Sequence, residues 1–214
     1  MMSAKRGFFI TFEGPEGSGK SSQAKELAGY LRKTGFKVIT CSDPGSTSLG
    51  KKLRRVLLHE RLKLSPIQEA MLFIAGRISL VEEFIKPALR SGRIVICDRF
   101  HDSTIAYQGF AGRLDVAWLD EIARKAIGNI MPHLTLFLNV PVSVGMGRLR
   151  GKKDRMESKA VEFHKKVHRG FLEIARRNKK RIVIIDASKS KAAIRNEVCC
   201  IVMKRLGYKK AAVC

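Results

Sequence analysis

The amino-acid sequence predicts an α/β fold in which a parallel sheet is covered by helices on both faces. Short β-forming runs alternate with long amphipathic stretches, and this alternation is typical of consecutive βαβ units. The β-forming runs are almost continuously apolar, as expected of strands that are buried on both faces. With 214 residues, the chain has the length of one domain with a full hydrophobic core.

Five segments have the length and the apolar composition of buried strands. They are Phe8 to Phe12, Lys37 to Ser42, Ile94 to Cys97, Leu134 to Val140 and Arg181 to Asp186. A helical pattern over Gln23 to Arg32 follows the first of them. Right-handed crossovers of this kind place successive strands in one parallel sheet.

The clearest helix boundary lies at about Pro66. Ser65 is a suitable N-cap, proline occupies the first helical position and Gln68 the third, which is the pattern of a capping box. Phe73 and Arg77 share a face that lies roughly 100° round the helix from the apolar stripe. That stripe is predicted to be buried and consists of Ile67, Met71, Ile74, Ile78, Val81 and Ile85.

Composition and cysteine usage indicate a protein of the cytoplasm. The longest apolar runs fall far short of the ~20 residues of a membrane span, so we expect no membrane partner. The five cysteines are odd in number and lack the spacing of metal or redox motifs. We therefore expect reduced thiols and a cytoplasmic location.

The net charge of +23 is concentrated in the last third of the chain. Residues 146–214 hold 21 of the 42 lysines and arginines but only 6 of the 19 acidic residues. Such a field attracts polyanions, and nucleotides and nucleic acids both qualify. Basic and aromatic residues are not interleaved as in single-strand or RNA-binding modules, so we do not expect specific nucleic-acid binding.

The most specific motif is a phosphate-binding loop between the first strand and the first helix. It consists of Gly14, Pro15, Glu16, Gly17, Ser18, Gly19, Lys20 and Ser21, the pattern G-x-x-x-x-G-K-S. Its glycines let backbone N–H groups surround phosphate oxygens, Lys20 reaches the β- and γ-phosphates, and the Ser21 hydroxyl binds magnesium. The loop predicts ATP and Mg²⁺ as cofactors, but it serves kinases, GTPases and ATP-driven machines alike.

Asp98 and Arg99 follow the third predicted strand, at the edge where open α/β sheets bind ligands. Asp98 can hold magnesium through a water molecule. Arg99 can clamp a phosphate with two hydrogen bonds. A simple surface ion pair between the two is the alternative interpretation.

Five segments in this order resemble the bacterial thymidylate kinases, and the resemblance runs from about Phe8 to Leu206. The segments are Gly14 to Ser21, Asp43 to Thr47, Leu72 to Arg77, Asp98 to Gly109 and Arg148 to Glu157. The resemblance implies one domain over residues 1–214 with the three-layer P-loop nucleotide kinase fold, a five-stranded parallel sheet and a short mobile lid at about 146–157. It also implies a homodimer that uses ATP and Mg²⁺ to phosphorylate dTMP to dTDP in dTTP biosynthesis.

The resemblance assigns the thymine-binding side chains to two segments. Phe73 would stack on the thymine ring and Arg77 would hydrogen-bond the edge of the base. Ser103 or Thr104 would also contact the base. The shared face of Phe73 and Arg77, away from the apolar stripe, agrees with these roles.

Further residues would bind the sugar and the phosphate of dTMP. Tyr107 would crowd the sugar 2′ position and so favour deoxyribose, while Gln108 would help to close the pocket. Arg54 and Arg99 would hold the monophosphate. Glu16, inside the phosphate-binding loop, would contact the sugar 3′-hydroxyl.

The chain departs from the family pattern at three places. Gly17 stands where one branch of the family has a catalytic arginine, so the lid must supply that charge, and Arg150 is the first candidate. A solvated basic helix end is the alternative for the other lid arginines. Ser42-Asp43 replaces the usual Arg-Glu, and the lid carries the basic pair Lys152-Lys153.

The transfer step itself requires that the substrates are positioned and that the charge of the transition state is neutralised. Lys20, Arg99 and Arg150 would do this as catalytic residues. Two other functions stay open from the sequence. One is a different nucleotide or nucleoside kinase of the same fold, which the need for an acceptor phosphate would distinguish. The other is a nucleic-acid-binding ATPase, for which the net charge is the only support.

Overall fold

The computed structural model describes residues 7–60, 62–151 and 154–208. Within these ranges five strands form a parallel sheet in the order β2-β3-β1-β4-β5. The strands are β1 Phe8–Glu13, β2 Val38–Ser42, β3 Ile94–Asp98, β4 Leu134–Asn139 and β5 Ile182–Asp186. All five predicted strands are confirmed, and each boundary agrees with its prediction to within one residue.

Helices cover both faces of the sheet, as predicted. They are α1 Lys20–Lys33, α2 Ser48–Leu58, α3 Pro66–Leu80, α4 Lys86–Arg90, α5 His101–Thr104, α6 Val116–Ala126, α7 Val142–Arg148, α8 Val161–Arg177 and α9 Lys191–Arg205. A π-helical turn over Val81–Ile85 joins α3 to α4, and a second one over Ile105–Ala111 extends α5. None of the described helices has the length and apolarity needed to cross a membrane.

The hydrophobic core lies on both sides of the central strands. On one face Leu27 and Leu31 of α1 and Val198 of α9 pack against β1 and β4. On the other face Phe137 of β4 stacks on Phe171 of α8, with ring centroids 5.3 Å apart. The sheet is therefore the middle one of three layers.

Helix α3 begins at Pro66 as predicted, because the capping box forms. The Ser65 backbone N–H donates to Gln68 Oε1 at 2.9 Å, and the Gln68 N–H donates to Ser65 Oγ at 3.4 Å. These bonds satisfy backbone N–H groups that the first helical turn leaves without partners.

The prediction of the buried stripe on this helix is wrong at two positions. Ile67 and Ile78 are 37% and 38% exposed, whereas Glu69 and Arg77 are 2% and 1% exposed. The two charged side chains can be buried because both pair with polar groups of neighbouring elements. Helix α3 consequently directs Glu69 and Arg77 toward the edge of the sheet at which the strands end, and it leaves Ile67 and Ile78 of the apolar stripe exposed to solvent.

The register of the sheet brings two chain segments together at that edge. Phe12 lies opposite Asp98 in the β1–β3 pair, and the Arg99 backbone N–H donates to Phe12 O at 3.0 Å. Because all strands are parallel, the loops after β1 and β3 leave the sheet side by side. The phosphate-binding loop and Arg99 are therefore neighbours although 85 residues separate Gly14 from Arg99.

Candidate active site

The loop between β1 and α1 has the backbone conformation of a phosphate cradle. Gly14 and Gly17 have φ angles of 146° and 67°, which favour glycine. A Cβ atom at Gly17 would lie 1.9 Å from the carbonyl oxygen of Gly145 in α7, so no larger residue fits there. The loop lies directly between a strand and a helix, as the sequence predicts, and its glycines adopt conformations that favour glycine.

Lys20 occupies the first position of α1 and is folded back into this loop. Its Nζ donates to the carbonyl oxygen of Pro15 at 2.8 Å and lies 3.3 Å from Ser18 Oγ. Burial and the nearby Arg99 lower the pKa of Lys20 to about 8, although Glu16 acts in the opposite direction. Phosphate oxygens in the loop would favour the charged ammonium and draw it away from the backbone carbonyl.

Ser21 and Asp98 meet at the mouth of the loop. The Ser21 hydroxyl donates to Asp98 Oδ2, which joins the start of α1 to the end of β3. Hydroxyl and carboxylate oxygens are suitable ligands for magnesium, which also keeps several of its waters. The two residues fit the predicted metal site in their chemistry and in their position beside the loop.

Arg99 lies at the centre of the site in an unusual backbone conformation. Its φ angle is 65°, a region that non-glycine residues seldom adopt. The guanidinium donates to Gly14 O at 3.0 Å, to Ser103 Oγ at 3.1 Å and to Glu16 Oε2 at 2.8 Å. It also lies over the ring of Tyr107, 5.2 Å from the centroid. These contacts fix the guanidinium between the phosphate-binding loop and the acceptor side of the cavity.

Glu16 accepts a second hydrogen bond, from the Tyr107 hydroxyl at 2.6 Å. Burial raises the pKa of Glu16, but Arg99, Lys20 and the Tyr107 hydroxyl outweigh it and bring the pKa down to about 2. The carboxylate is therefore ionised at neutral pH. It can accept a hydrogen bond from a ligand hydroxyl.

Glu13 is a site residue that the sequence analysis missed. Its side chain is fully buried and accepts hydrogen bonds from the Phe100 N–H at 2.8 Å and from Ser103 Oγ at 2.5 Å. Both donors follow Arg99 in the chain, Phe100 directly and Ser103 within α5. The sequence does contain a signal for Glu13, because an acidic residue at the end of a predicted buried strand is the same feature that identified Asp98.

The environment of Glu13 favours its neutral form. Burial, followed by the negative charge of Asp102, raises the pKa of Glu13 to about 7. Hydrogen bonds from Ser103 and Phe100 and the charge of Arg99 oppose this rise only in part. The carboxyl group consequently titrates near neutral pH.

Arg77 and Asp43 form the buried wall of the acceptor side. Arg77 Nε donates to Asp43 Oδ2 at 2.5 Å, and its Nη2 donates to Thr104 Oγ1 at 2.7 Å and to Phe100 O at 3.2 Å. Arg77 Nη1 and Asp43 Oδ1 are buried without a hydrogen-bond partner among the described residues. Buried polar atoms normally have partners, so these two atoms are available to a ligand.

A cavity of about 620 Å³ connects the phosphate-binding loop to this acceptor side. Among the predicted site residues it is lined by Glu16, Gly17, Gly19, Lys20, Ser21, Arg54, Phe73, Arg77, Asp98, Arg99, Ser103, Thr104, Tyr107 and Gln108. Gly14, Pro15 and Ser18 lie behind the lining, in the body of the loop. Arg150 is exposed and does not line the cavity.

The predicted lid contributes Leu149, Asp154, Met156 and Glu157 to the cavity. Arg155, beside them, points away and donates to Glu69 of α3 at 2.7 Å and to Leu57 O of α2 at 2.7 Å. Lys159 and Gln108 bind the same Glu69 carboxylate, at 3.1 Å and 2.9 Å. The basic pair Lys152-Lys153 lies outside the described residues. Glu69 thus connects the end of the predicted lid to α3.

The fold and the cavity define the chain as an α/β nucleotide kinase: a five-stranded parallel sheet carries a phosphate-binding loop that opens directly onto an acceptor pocket. Residues 12–198 match the family model described as "Thymidylate kinase". The chain belongs to the thymidylate kinase family, whose members phosphorylate dTMP to dTDP using ATP, and it is therefore a phosphotransferase.

Relatives and a solved structure agree with this family. A thymidylate kinase of Protochlamydia amoebophila is 41% identical over 200 residues, which cover 88% of this chain and 89% of that protein. One of Kosmotoga olearia is 40% identical over 205 residues, covering 94% and 99%. The crystal structure of thymidylate kinase from Ehrlichia chaffeensis has a TM-score of 0.76 at 33% identity and covers 92% of this chain and 98% of its own.

Proposed function

We propose that the chain transfers the γ-phosphoryl group of ATP to dTMP in the presence of Mg²⁺ and yields dTDP for dTTP synthesis. The observation that carries this proposal is the continuous cavity between the phosphate-binding loop and the buried Arg77. One end of it offers backbone N–H groups and Lys20 to a triphosphate. The other end offers an unpartnered guanidinium N–H to a nucleobase.

On the donor side, the loop from Gly14 to Ser21 surrounds the β- and γ-phosphates. Lys20 leaves Pro15 O to contact their oxygens, at little cost because its present partner is a neutral carbonyl. Ser21 and Asp98 would hold magnesium, which would neutralise part of the charge of the phosphates.

On the acceptor side, Phe73 stacks on thymine and Arg77 Nη1 donates to an oxygen at the edge of the base. Asp43 and Thr104 support this role because they fix the other guanidinium nitrogens. Thr104 acts on the base through Arg77, while Ser103 contacts Arg99. A buried arginine that three acceptors hold in place loses little further freedom on binding.

The sugar and phosphate of dTMP lie between the base and the donor. Glu16 accepts a hydrogen bond from the 3′-hydroxyl, and the ring of Tyr107 crowds a 2′-hydroxyl, with Gln108 behind it. Arg54 and Arg99 hold the monophosphate. The hydrogen bonds of Arg99 to Gly14 and Glu16 keep it beside the loop, where the two substrates meet.

In the transfer step an oxygen of the dTMP phosphate attacks the γ-phosphorus, and the bond from that phosphorus to the bridging oxygen of ADP breaks. The attacking oxygen is already ionised, so the reaction needs positioning and charge neutralisation rather than a strong base. Lys20, Arg99 and Arg150 supply that charge. Arg150 reaches the cavity when the lid at about residues 146–157 closes over both substrates and excludes water.

The proposal includes a cytoplasmic homodimer built from single domains. The reduced thiols of Cys41, Cys97 and Cys200 support a reducing compartment. The partly exposed stripe of Ile67, Met71 and Ile78 on α3 supports a partner surface, because apolar spacing of this kind is normally buried. Light scattering on the parent and on Ile78→Glu tests the dimer, and an equal mass for both would reject this surface.

The decisive experiment measures ADP release from ATP and Mg²⁺ with dTMP, dUMP, dCMP, AMP, UMP or thymidine as acceptor. We expect dTMP to support the fastest turnover and thymidine to support none. Turnover with thymidine would instead indicate a nucleoside kinase. ADP release that no acceptor stimulates would indicate an ATPase.

A further inference from the structure

The edge of the sheet opposite the active site carries a second set of charged residues. In a parallel sheet the residues that precede the strands lie at the edge away from the ligand site. Lys37 and Arg93 precede β2 and β3, and Lys37 O accepts the Ile94 N–H at 2.9 Å. Lys179 and Lys180 lie in the turn before β5.

The end of α9 reaches the same edge. Arg205, at the end of α9, donates to Lys180 O at 3.0 Å. Tyr208 lies edge-on to Phe36 with ring centroids 5.5 Å apart, which places the end of α9 beside the turn between α1 and β2. The end of α9 therefore connects the turn before β5 to the turn before β2.

These contacts define a basic face of nine exposed side chains. It consists of Arg32, Lys33, Lys37, Arg90, Arg93, Lys179, Lys180, Lys204 and Arg205. The four segments that carry them, residues 31–37, 89–93, 178–182 and 203–208, contain no aspartate or glutamate.

The charge of this face is not compensated within the described part of the chain. None of its nine members forms an ion pair with a described acidic residue, whereas Arg55, Lys86, Lys125 and Lys165 elsewhere on the surface each do. Surface charges of one sign that are gathered on one face repel one another and lower stability. The arrangement therefore indicates a partner that supplies negative charge.

The nucleotide substrates are not that partner, because the face lies too far from the cavity. Strands of five or six residues separate the two edges by about 17 to 20 Å at about 3.3 Å per residue. The Debye length is about 8 Å at physiological ionic strength, so the field of this face is largely screened at the cavity.

We propose that the basic face binds the phosphate backbone of a nucleic-acid duplex without reading its bases. The face spans the width from β2 to β5, about 19 Å at about 4.8 Å per strand spacing. Over that length a duplex presents one negative charge per about 1.7 Å of its axis. Folded acidic proteins carry surface charges of both signs and do not reach this density of negative charge.

The composition of the face favours a duplex backbone over other polyanions. Of the exposed large apolar side chains, Tyr208 alone lies in the four segments, so the face lacks the apolar residues that anchor a protein in a lipid surface. It also lacks the series of exposed aromatic rings on which single-stranded bases stack. Phosphate contacts by lysine and arginine carry no sequence information.

The test measures fluorescence anisotropy of labelled DNA and RNA duplexes of about 20 base pairs across a salt series, using the full chain. The face variant is Lys37→Glu/Lys179→Glu/Lys180→Glu. Its matched control is Lys51→Glu/Lys52→Glu/Lys63→Glu, which makes the same change in net charge at three other exposed lysines. Both variants are first compared with the parent by thermal unfolding and by turnover with dTMP.

We expect the parent to bind both duplexes with a steep salt dependence. The face variant should bind at least about tenfold more weakly, and the slope of log K against log salt should lose about 0.9 for each lysine removed. The control variant should keep most of the slope, and both variants should turn over dTMP at the parental rate. If the face variant turns over dTMP at the parental rate but no longer binds the duplexes, duplex binding is independent of the proposed kinase function.

Three outcomes would overturn the proposal. Equal weakening in both variants would mean that net charge rather than this face attracts the duplex. If the parent shows no salt-dependent binding to either duplex, a nucleic-acid duplex is not the partner of the basic face. Tighter binding to vesicles that contain anionic lipid than to either duplex, with the same loss in the face variant, would assign the face to a membrane surface.

Discussion

Arg77 and Asp43 form an ion pair whose side chains are each 1% exposed, with Arg77 Nε 2.5 Å from Asp43 Oδ2. The pair joins α3 to the loop after β2. Because a buried charge without its partner is costly, loss of either residue alone would destabilise the fold. The pair also leaves Arg77 Nη1 available to a ligand.

The first prediction concerns this pair. Asp43→Ala should lower the free energy of unfolding by about 3 to 5 kcal/mol, because Arg77 would stay buried without a counter-charge. Urea unfolding measures the change. The double variant Asp43→Ala/Arg77→Met should recover part of the loss, since it removes both charges together. A loss in the single variant no larger than that of an exposed pair, about 1 kcal/mol, would contradict the prediction.

The second prediction concerns the pH dependence that Glu13 causes. Burial raises the pKa of Glu13 from its ordinary 4.5 to about 7, so the unfolded chain releases this proton first. Between about pH 4.5 and 7 the folded state holds more protons, and the free energy of unfolding falls as the pH rises. Glu13→Gln should remove this fall, which is on the order of 3 kcal/mol.

Urea unfolding of the parent and of Glu13→Gln at several pH values across that interval measures this effect. Glu16→Gln is the control of opposite sign, because the pKa of Glu16 is lowered to about 2. The parent should gain stability over Glu16→Gln as the pH rises from about 2 to 4.5, and the difference should then stay constant. A constant difference between the parent and Glu13→Gln from pH 4.5 to 7 would show that Glu13 does not titrate there.

The third prediction concerns Arg150. Arg150→Ala should lower kcat by at least about 100-fold and leave the affinity for ATP within a few-fold, because we propose that its charge acts only in the transition state. Steady-state kinetics together with equilibrium binding of a fluorescent ATP analogue separate the two effects. Arg148→Ala is the control, since Arg148 is held by the carbonyl oxygen of Ala187 at 2.9 Å. Equal losses in kcat and ATP affinity would make Arg150 a binding residue only.

The fourth prediction concerns the attachment of the lid to α3 through Glu69. Glu69→Ala leaves Arg155, Lys159 and Gln108 without their common acceptor and should cost about 1 to 3 kcal/mol. The KM for dTMP should rise, because the neighbouring Met156 and Glu157 line the cavity. Chemical denaturation and initial rates measure both.

A carboxylate in an exposed ion pair provides the control for Glu69. Glu60 binds Arg55 at 3.1 Å and its side chain is 36% exposed. Glu60→Ala should therefore cost less than about 1 kcal/mol and leave the KM unchanged. If both variants raise the KM for dTMP equally, a general effect on α2 and α3 would explain the result better than the loss of the contact between Glu69 and the lid.

Patterns within the sequence were sufficient to predict the five strands, the start of α3 and the loop between β1 and α1. Each of these features depends on residues that are close together in the chain. The Ser65 capping box is closed within four residues, and the turn from Gly14 to Ser21 needs only glycines, a lysine and a hydroxyl in fixed order. Local backbone chemistry is sufficient to specify such elements.

Long-range contacts determine which side chains of those elements face the site. The spacing of Ile67 and Ile78 predicted burial, but the contacts of Glu69 with Arg155 and of Arg77 with Asp43 bury those charged side chains and leave the two isoleucines partly exposed. Glu69 and Arg155 are 86 residues apart in the chain, and Arg77 and Asp43 are 34 residues apart. No local sequence pattern predicts contacts over such separations. Burial of Glu13 and the basic face arise in the same way, because the parallel sheet assembles them from segments far apart in the chain.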